Sequence, residues 1–319
     1  MKPQIIAVDI GGTQIRTALC DSTGTIHRRA SDLTAPQEGA DAVMARIEAA
    51  IRQVWPADAQ VEAIGVVAPG PLDPWSGVVF ESPNIPCWKD FPLRDLVRQR
   101  LGVPALVGND ANLAALAEQR FGAGQGKANL IYITVSTGIG GGVIVNNELL
   151  IGGHGLASEL GHIKLEPEGP LCGCGDRGCL EAFASGPSIA RQARRRLRAG
   201  EESRIRELVG GDLDDVTAKI ISQAAQEGDP LAVDVFRWAG SYLGLGLVSL
   251  LHIFDPDIII IGGSVSKAGD LLFEPAREVV RRRCMNERFW RDTPIVTAAL
   301  GDDVGLLGGL ALVLANLSR

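Results

Sequence analysis

One pattern occurs twice in this chain and limits what it can fold into. An apolar run, Ile5–Asp9, ends at Gly11-Gly12-Thr13 and resumes as Gln14–Asp21. A second, Leu130–Val135, ends at Ser136-Thr137-Gly138 and resumes at Gly142–Val145. Short β-branched runs punctuated by glycine read as strand, turn, strand. Finding the same opening in both parts of the chain predicts two related α/β halves. The intervening segments agree. Thr25–Ala30 and Val61–Val67 read as strands, and Ala42–Val54 sets Val43, Ile47, Ile51 and Val54 on one helical face. Leu106–Val107 leads into Asn109-Asp110 and a helix near Asn112–Arg120. A long helix runs from Pro230 to about His252. Asp257–Ile261 reads as the last buried strand, closed by Gly262-Gly263-Ser264, and a final helix starts near Val304. Strands and helices mixed in this way form α/β layers.

Composition narrows the function. With 319 residues the chain can form two domains or one large one, and 46% apolar residues supply a core. A formal charge of −7 argues against non-specific binding to nucleic acid. Asp9 interrupts the opening apolar run too early for the core of a signal peptide. Val304–Leu314, broken by Gly305, Gly308 and Gly309, falls short of the ~20 apolar residues that span a bilayer. The expectation is a soluble, cytoplasmic protein with neither a nucleic-acid nor a membrane partner.

The densest chemistry lies in Cys172-Gly173-Cys174-Gly175-Asp176-Arg177-Gly178-Cys179-Leu180-Glu181, preceded by Glu159-Leu160-Gly161-His162. Three thiolates and one imidazole, from Cys172, Cys174, Cys179 and His162, are the ligand set of a closed tetrahedral zinc site. The intervening glycines allow tight, partly left-handed turns. A disulfide would strand the third thiol, and six cysteines in this length are no disulfide framework. Cys20, Cys87 and Cys284 stand apart and read as small apolar residues. Glu159 and Glu181 bracket the ligands without being needed by the metal. Four protein ligands leave no open position, which makes the zinc structural.

Three glycine turns carry a second theme. In Asp9-Ile10-Gly11-Gly12-Thr13, Gly11 and Gly12 let backbone N–H groups approach phosphate oxygens and Thr13 adds a donor. Arg16 can reach the same phosphates, and Asp9 could hold Mg²⁺ directly or through water. Alone this turn is equally a structural hairpin. Thr137-Gly138 offers a second hydroxyl–glycine turn and Gly262-Gly263 a third. No Gly-x4-Gly-Lys-Ser/Thr occurs, so this is not a P-loop chain. Gly138-Ile139-Gly140 is followed by a strand, so it is not a dinucleotide fingerprint. Asp110, just before a helix, reads locally as an N-cap.

The run Glu-x-Gly-His followed by Cys-x-Cys-Gly-x2-Gly-Cys-x-Glu resembles the signature of the ROK family of sugar kinases and repressors, without a gap, and the resemblance covers nearly all of the chain. It implies an actin-like/hexokinase-type (ribonuclease H-like) α/β fold of duplicated domains flanking a central cleft. Residues 1–108 plus a C-terminal helix at about 302–319 would form the small domain, and 109–301 the large one with the zinc loop. It makes the three turns the phosphate and adenosine elements of an ATP site, Asp110 the catalytic base, and Asn84, Asn109, Asp110, Glu159, His162 and Glu181 the sugar ligands. The implied activity is transfer of the γ-phosphoryl group of ATP to a hexose 6-hydroxyl, with Mg²⁺. The segments around Asn84, Asn109 and Glu159 look most like bacterial glucokinases, which makes glucose the expected acceptor. N-acetylmannosamine, fructose or allose kinases share the motifs. Repressors of the family carry a helix-turn-helix ahead of the first strand, and here that strand begins at residue 5. Family members are often dimers or tetramers, so a homo-oligomer is expected.

Overall fold

The computed structural model describes residues 4–57 and 60–317; the ends of the expected C-terminal helix (318–319) and of the small domain (1–3) lie outside them. The first half holds strands β1 (Gln4–Ile10), β2 (Gln14–Asp21), β3 (Ile26–Leu33), β4 (Val61–Ala68), β5 (Leu72–Asp73), β6 (Val78–Glu81), β7 (Lys89–Phe91) and β8 (Ala105–Asn109). Helices α1 (Ala40–Val54), α2 (Leu93–Leu101) and α3 (Asp110–Phe121) accompany them. Five of these strands form a sheet in the order β3-β2-β1-β4-β8. The first three are an antiparallel meander, while β4 runs parallel to β1 and β8 parallel to β4. Ile5–Val8 are wholly buried, as a strand covered on both faces must be. α1 packs the predicted Val43, Ile47, Ile51 and Val54 against one face.

The second half repeats this topology. Strands β9 (Leu130–Val135), β10 (Ile139–Val145), β11 (Glu148–Leu149), β12 (Ile258–Gly262) and β13 (Ile295–Thr297) form a sheet in the order β11-β10-β9-β12-β13. Again the first three are antiparallel and the last two parallel. Helices α4 (Leu180–Ala184), α5 (Gly186–Arg198), α6 (Ile205–Leu208), α7 (Ala218–Gln226), α8 (Pro230–Phe254) and α9 (Asp270–Arg283) belong to this half, and most pack through one apolar cluster. The last helix, α10 (Val304–Leu317), returns to the first sheet and packs on β1 and β4. The duplicated α/β fold of the actin/hexokinase type is therefore borne out.

Three sequence expectations are corrected. Asp257–Ile261 is not the last strand, because β13 follows it on the sheet edge. The strand expected to resume at Gly142 starts three residues earlier, so Gly140 and Gly141 also lie inside β10. There the missing side chain admits α3: a Cβ on Gly142 would lie 2.7 Å from both the Ala111 carbonyl and the Ala115 Cβ. Val304–Leu314 is not the segment that comes nearest to a membrane span. Among the described residues, α8 is the one helix long and apolar enough to cross a membrane by length and composition. Of its most apolar window 56% is buried inside the molecule, against α9, α7 and α4, as for a core helix.

Candidate active site

The β1–β2 turn is fixed from below. Gly11 donates its N–H to the Gln14 carbonyl at 2.9 Å, and the buried Thr34 hydroxyl donates to the Gly11 carbonyl at 2.6 Å. Thr34 also donates its N–H to the Thr13 carbonyl at 2.9 Å. Gly12 faces the loop of Asn84 so closely that a Cβ there would lie 2.9 Å from the Asn84 Cβ. The predicted phosphate turn and the predicted sugar residue Asn84 are thus neighbours. Asp9 ends β1, and its carboxylate fills the space beside Gly305 at the N-terminus of α10, the end of a helix that favours negative charge.

Arg16 is not turned to the open face of this turn. Its Nε donates to Asp9 Oδ2 at 3.1 Å, its Nη2 donates to the same oxygen, and its Nη1 donates to the Asp302 carbonyl at 2.6 Å. The register explains this, because Asp9 and Arg16 are directly paired across the hairpin. Arg16 orients and neutralises Asp9.

Asp110 stands at the junction of the two sheets. The N-cap of α3 is Asn109 and not Asp110: Asn109 Oδ1 accepts from the N–H of Ala111 at 3.1 Å and of Asn112 at 3.2 Å. Asp110 is the first helical residue, with Oδ1 accepting from Ala111 N–H at 2.8 Å, and its side chain is left to face the cleft. Protein crowds it on its inner side. That desolvation, foremost, pushes its carboxyl up to about 6; the Asp9 and Glu159 charges push the same way, while the Ala111 N–H and the Asn109 side chain oppose them. Water still reaches the carboxylate, so closure over it raises it further. The capping role occupies Asn109 Oδ1, and its amide Nδ2 is the side-chain donor toward the Asp110 carboxylate.

The other two turns meet across the second sheet. Ser136 donates its N–H to the Gly138 carbonyl at 2.8 Å, and the hydroxyls of Ser136 and Ser264 lie 3.0 Å apart. Gly263 has φ +86 and abuts the Val135 carbonyl, so the position needs glycine twice over. Beside Thr137 and Ser264 opens a cavity of about 390 Å³, closed by Pro187, Val216, Thr217 and Lys219. α5 and the start of α7 supply these walls. Sequence reading missed them, because no local motif connects α7 to a turn so far upstream. A groove of about 840 Å³ between α2 and β8 is larger, but none of the predicted site residues lines it.

The zinc set converges as expected. Single ligand atoms of His162, Cys172, Cys174 and Cys179 all lie within 4.8 Å of one another. The sulfurs of Cys174 and Cys179 are 3.7 Å apart, and Cys172 Sγ is 3.8 Å from His162 Nδ1. A tetrahedral ion with Zn–S bonds of about 2.3 Å spaces its sulfurs by about 3.8 Å, so the residues fit the ion. Nδ1 is the ring atom turned to the thiols, which leaves Nε2 free of the metal set. Gly178 has φ +73, and any Cβ there would collide with the Glu166 carbonyl.

Glu181 has a role beyond the one expected. Its Oε2 accepts the N–H of Ile139 at 2.9 Å and its Oε1 accepts from Cys172 Sγ at 3.4 Å. The Cys172 contact needs the thiol proton; with Cys172 as a zinc thiolate, the cysteine loop is tied to the Thr137-Gly138 turn through α4, which starts at Cys179 and carries Glu181. Glu159 precedes the single turn Leu160–His162 and is exposed, with its charge felt by Asp110.

The ROK family matches residues 5–316. The chain is 38% identical over 311 residues to a glucokinase of Streptomyces coelicolor, covering 96% of each chain. It is 37% identical over 312 residues to a glucokinase of Thermotoga maritima, covering 98% of each. A solved ROK glucokinase from Streptomyces griseus, in complex with glucose and AMPPNP, superimposes with a TM-score of 0.83 at 41% identity, over 97% of this chain and 98% of that one.

Proposed function

The chain belongs to the ROK family, and on that premise we propose that it is an ATP-dependent glucokinase: it transfers the γ-phosphoryl group to the 6-hydroxyl of glucose, with Asp110 as general base. The observation that carries this reading is Asp110 itself, spared from capping by Asn109 and held in the cleft with a raised carboxyl. A sugar hydroxyl is a poor nucleophile, and a positioned carboxylate near neutrality can take its proton as it attacks.

The remaining roles follow from position. The turns at Gly11-Gly12-Thr13 and Thr137-Gly138 offer N–H and hydroxyl donors to the phosphates, and the cavity beside Gly262-Gly263 takes the adenosine. Bound Mg²⁺, near Asp9, would offset charge on the transferring group. Arg16 holds Asp9 in place and, if nucleotide draws Asp9 away, is freed toward the phosphates. Asn84, Asn109 Nδ2, Glu159, His162 Nε2 and Glu181 are the sugar-binding set. The structural zinc is held by His162, Cys172, Cys174 and Cys179, which fixes the tautomer and plane of His162. We place the small domain at 1–108 plus the final helix and the large one at 109–301. α10 packing on the first sheet supports that division. Free thiols and an ATP donor favour a reducing cytoplasm, and a homo-oligomer is the expected assembly.

The test is ADP release with Mg-ATP across glucose, mannose, fructose, N-acetylglucosamine and N-acetylmannosamine, beside Asp110→Asn. Turnover strongest on glucose and lost in the variant is expected. Preference for fructose or an N-acetyl sugar would keep the mechanism and replace the substrate. Sugar binding without any turnover would move the reading to a sugar-sensing regulator or to a different phosphoryl donor, such as polyphosphate.

A further inference from the structure

Lys164 has no part in the reading above, yet it touches the cysteine loop at three points. Its Nζ donates to Cys179 Sγ at 3.1 Å and to the Arg177 carbonyl at 3.3 Å, and it pairs with Asp176 Oδ2 at 2.6 Å. An ammonium has three donors, and here each has a partner on the same loop. A surface lysine beside an aspartate would ordinarily contribute little. Two features separate this one. Lys164 and Cys179 are paired residues of an isolated antiparallel bridge, so backbone geometry holds the ammonium over the sulfur. Cys179 is fully buried, whereas Cys174 is exposed. A buried thiolate needs a donor or a counter-charge, and three thiolates with one neutral imidazole around a divalent ion leave a net charge of about −1.

We propose that Lys164 is a positioning residue of the zinc centre: it donates a charge-assisted N–H···S hydrogen bond to the Cys179 thiolate and holds that sulfur as a metal ligand. The inference rests on the zinc reading. It also reaches the site, because Cys179 is the residue from which α4 starts and α4 carries Glu181. Asp176 and the Arg177 carbonyl fix the ammonium from the solvent side, so the cation is oriented before the metal arrives. Partners of this kind are worth 10- to 100-fold in metal affinity.

The experiment uses the full chain loaded with zinc or with cobalt(II). Lys164→Met should lower zinc affinity about 10- to 100-fold, read by chelator competition. In the cobalt protein the sulfur-to-cobalt charge-transfer band should move to longer wavelength, because a thiolate without its donor gives up an electron more easily. Lys164→Arg should restore both in part. Asp176→Asn loosens the same ammonium and should give a smaller loss with the band moving the same way; it serves if the methionine variant folds poorly. Unchanged affinity and an unmoved band in both variants would overturn the proposal while leaving the zinc site standing. Absence of any thiolate–cobalt band in the unaltered protein would overturn the zinc reading and this inference with it.

Discussion

Asp110 carries two opposed demands, and its titration exposes both. As a general base it must be ionised, so kcat/KM should hold above pH 6 and fall as the pH drops through about 6, where desolvation on its inner side and the Asp9 and Glu159 charges place its carboxyl. Asp110→Asn should lose about 10²- to 10⁴-fold in kcat and lose that acid limb with it. The stability sign runs the other way. Its pKa in the folded chain lies above the unfolded value, so the fold binds the proton more tightly. The resulting penalty is absent below the unfolded pKa, grows between the two values and is complete above about 6. Asp110→Asn should therefore melt higher than the unaltered protein at pH 7.5, and the gap should close toward pH 4; equal melting curves at both would refute the raised pKa. Sequence alone could not settle this residue. In Gly108-Asn109-Asp110-Ala111 either Asn109 or Asp110 is a competent N-cap, and only the point where β8 ends decides which one caps and which faces the cleft. Arg16 shows the same limit: its type and nearness suggest a phosphate, and only the hairpin register reveals that it also pairs with Asp9.

Among the elements, α3 does more than start with Asp110. Its Glu118 is fully buried, with Oε1 accepting the N–H of Leu300 at 3.0 Å and Oε2 the N–H of Ala123 at 2.8 Å. The first donor lies where the chain returns from β13 to α10, the second where it leaves α3 for β9. One carboxylate thus binds both crossings between the sheets, which must bend together if the cleft closes. Glu118→Gln keeps the shape but turns one acceptor into a donor facing an N–H. That mismatch should cost about 1–3 kcal/mol, seen as a lower urea midpoint at unchanged m-value. A variant as stable as the unaltered protein would mean that the two crossings are not held through this side chain. Periodicity made α1 and α8 legible, and β-branched runs made the central strands legible. β13 and the small sheet of β5, β6 and β7 escaped, because strands of two to four residues on edges carry too little pattern. The glycines of β10 misled for a physical reason: glycine marks a turn and a close helix approach alike, and the approach of α3 to Gly142 is a tertiary fact.

At the scale of the molecule, the duplication explains why chemistry gathers at one place. Each half presents a hairpin turn at the end of its first strand, and Asp110 stands where the chain passes from the first sheet to the second, within reach of the charges of Asp9 and Glu159. The repeat was readable because a turn needs glycine and hydroxyl residues in both copies. The cavity beside Ser264 was not readable, since its walls come from α5 and α7, which have no counterpart in the first half. The cysteine loop is the second addition, and its connections predict how its loss would spread. Zinc would hold His162 and Cys179, and Cys179 starts α4, whose Glu181 accepts the Ile139 N–H behind the Thr137-Gly138 turn. Stripping the metal should therefore cost more than sugar affinity. Folding free energy bound up in the site is lost, so the melting temperature drops. KM for glucose should rise through His162 and Glu159. KM for ATP should rise as well, by a smaller factor, because the phosphate turn loses its brace only indirectly. Chelation with metal content verified, followed by zinc add-back, reads all three. Loss of stability with both KM values unchanged would make the loop a remote clamp. A rise in the glucose KM alone would place Glu181 with the sugar and detach it from the turn.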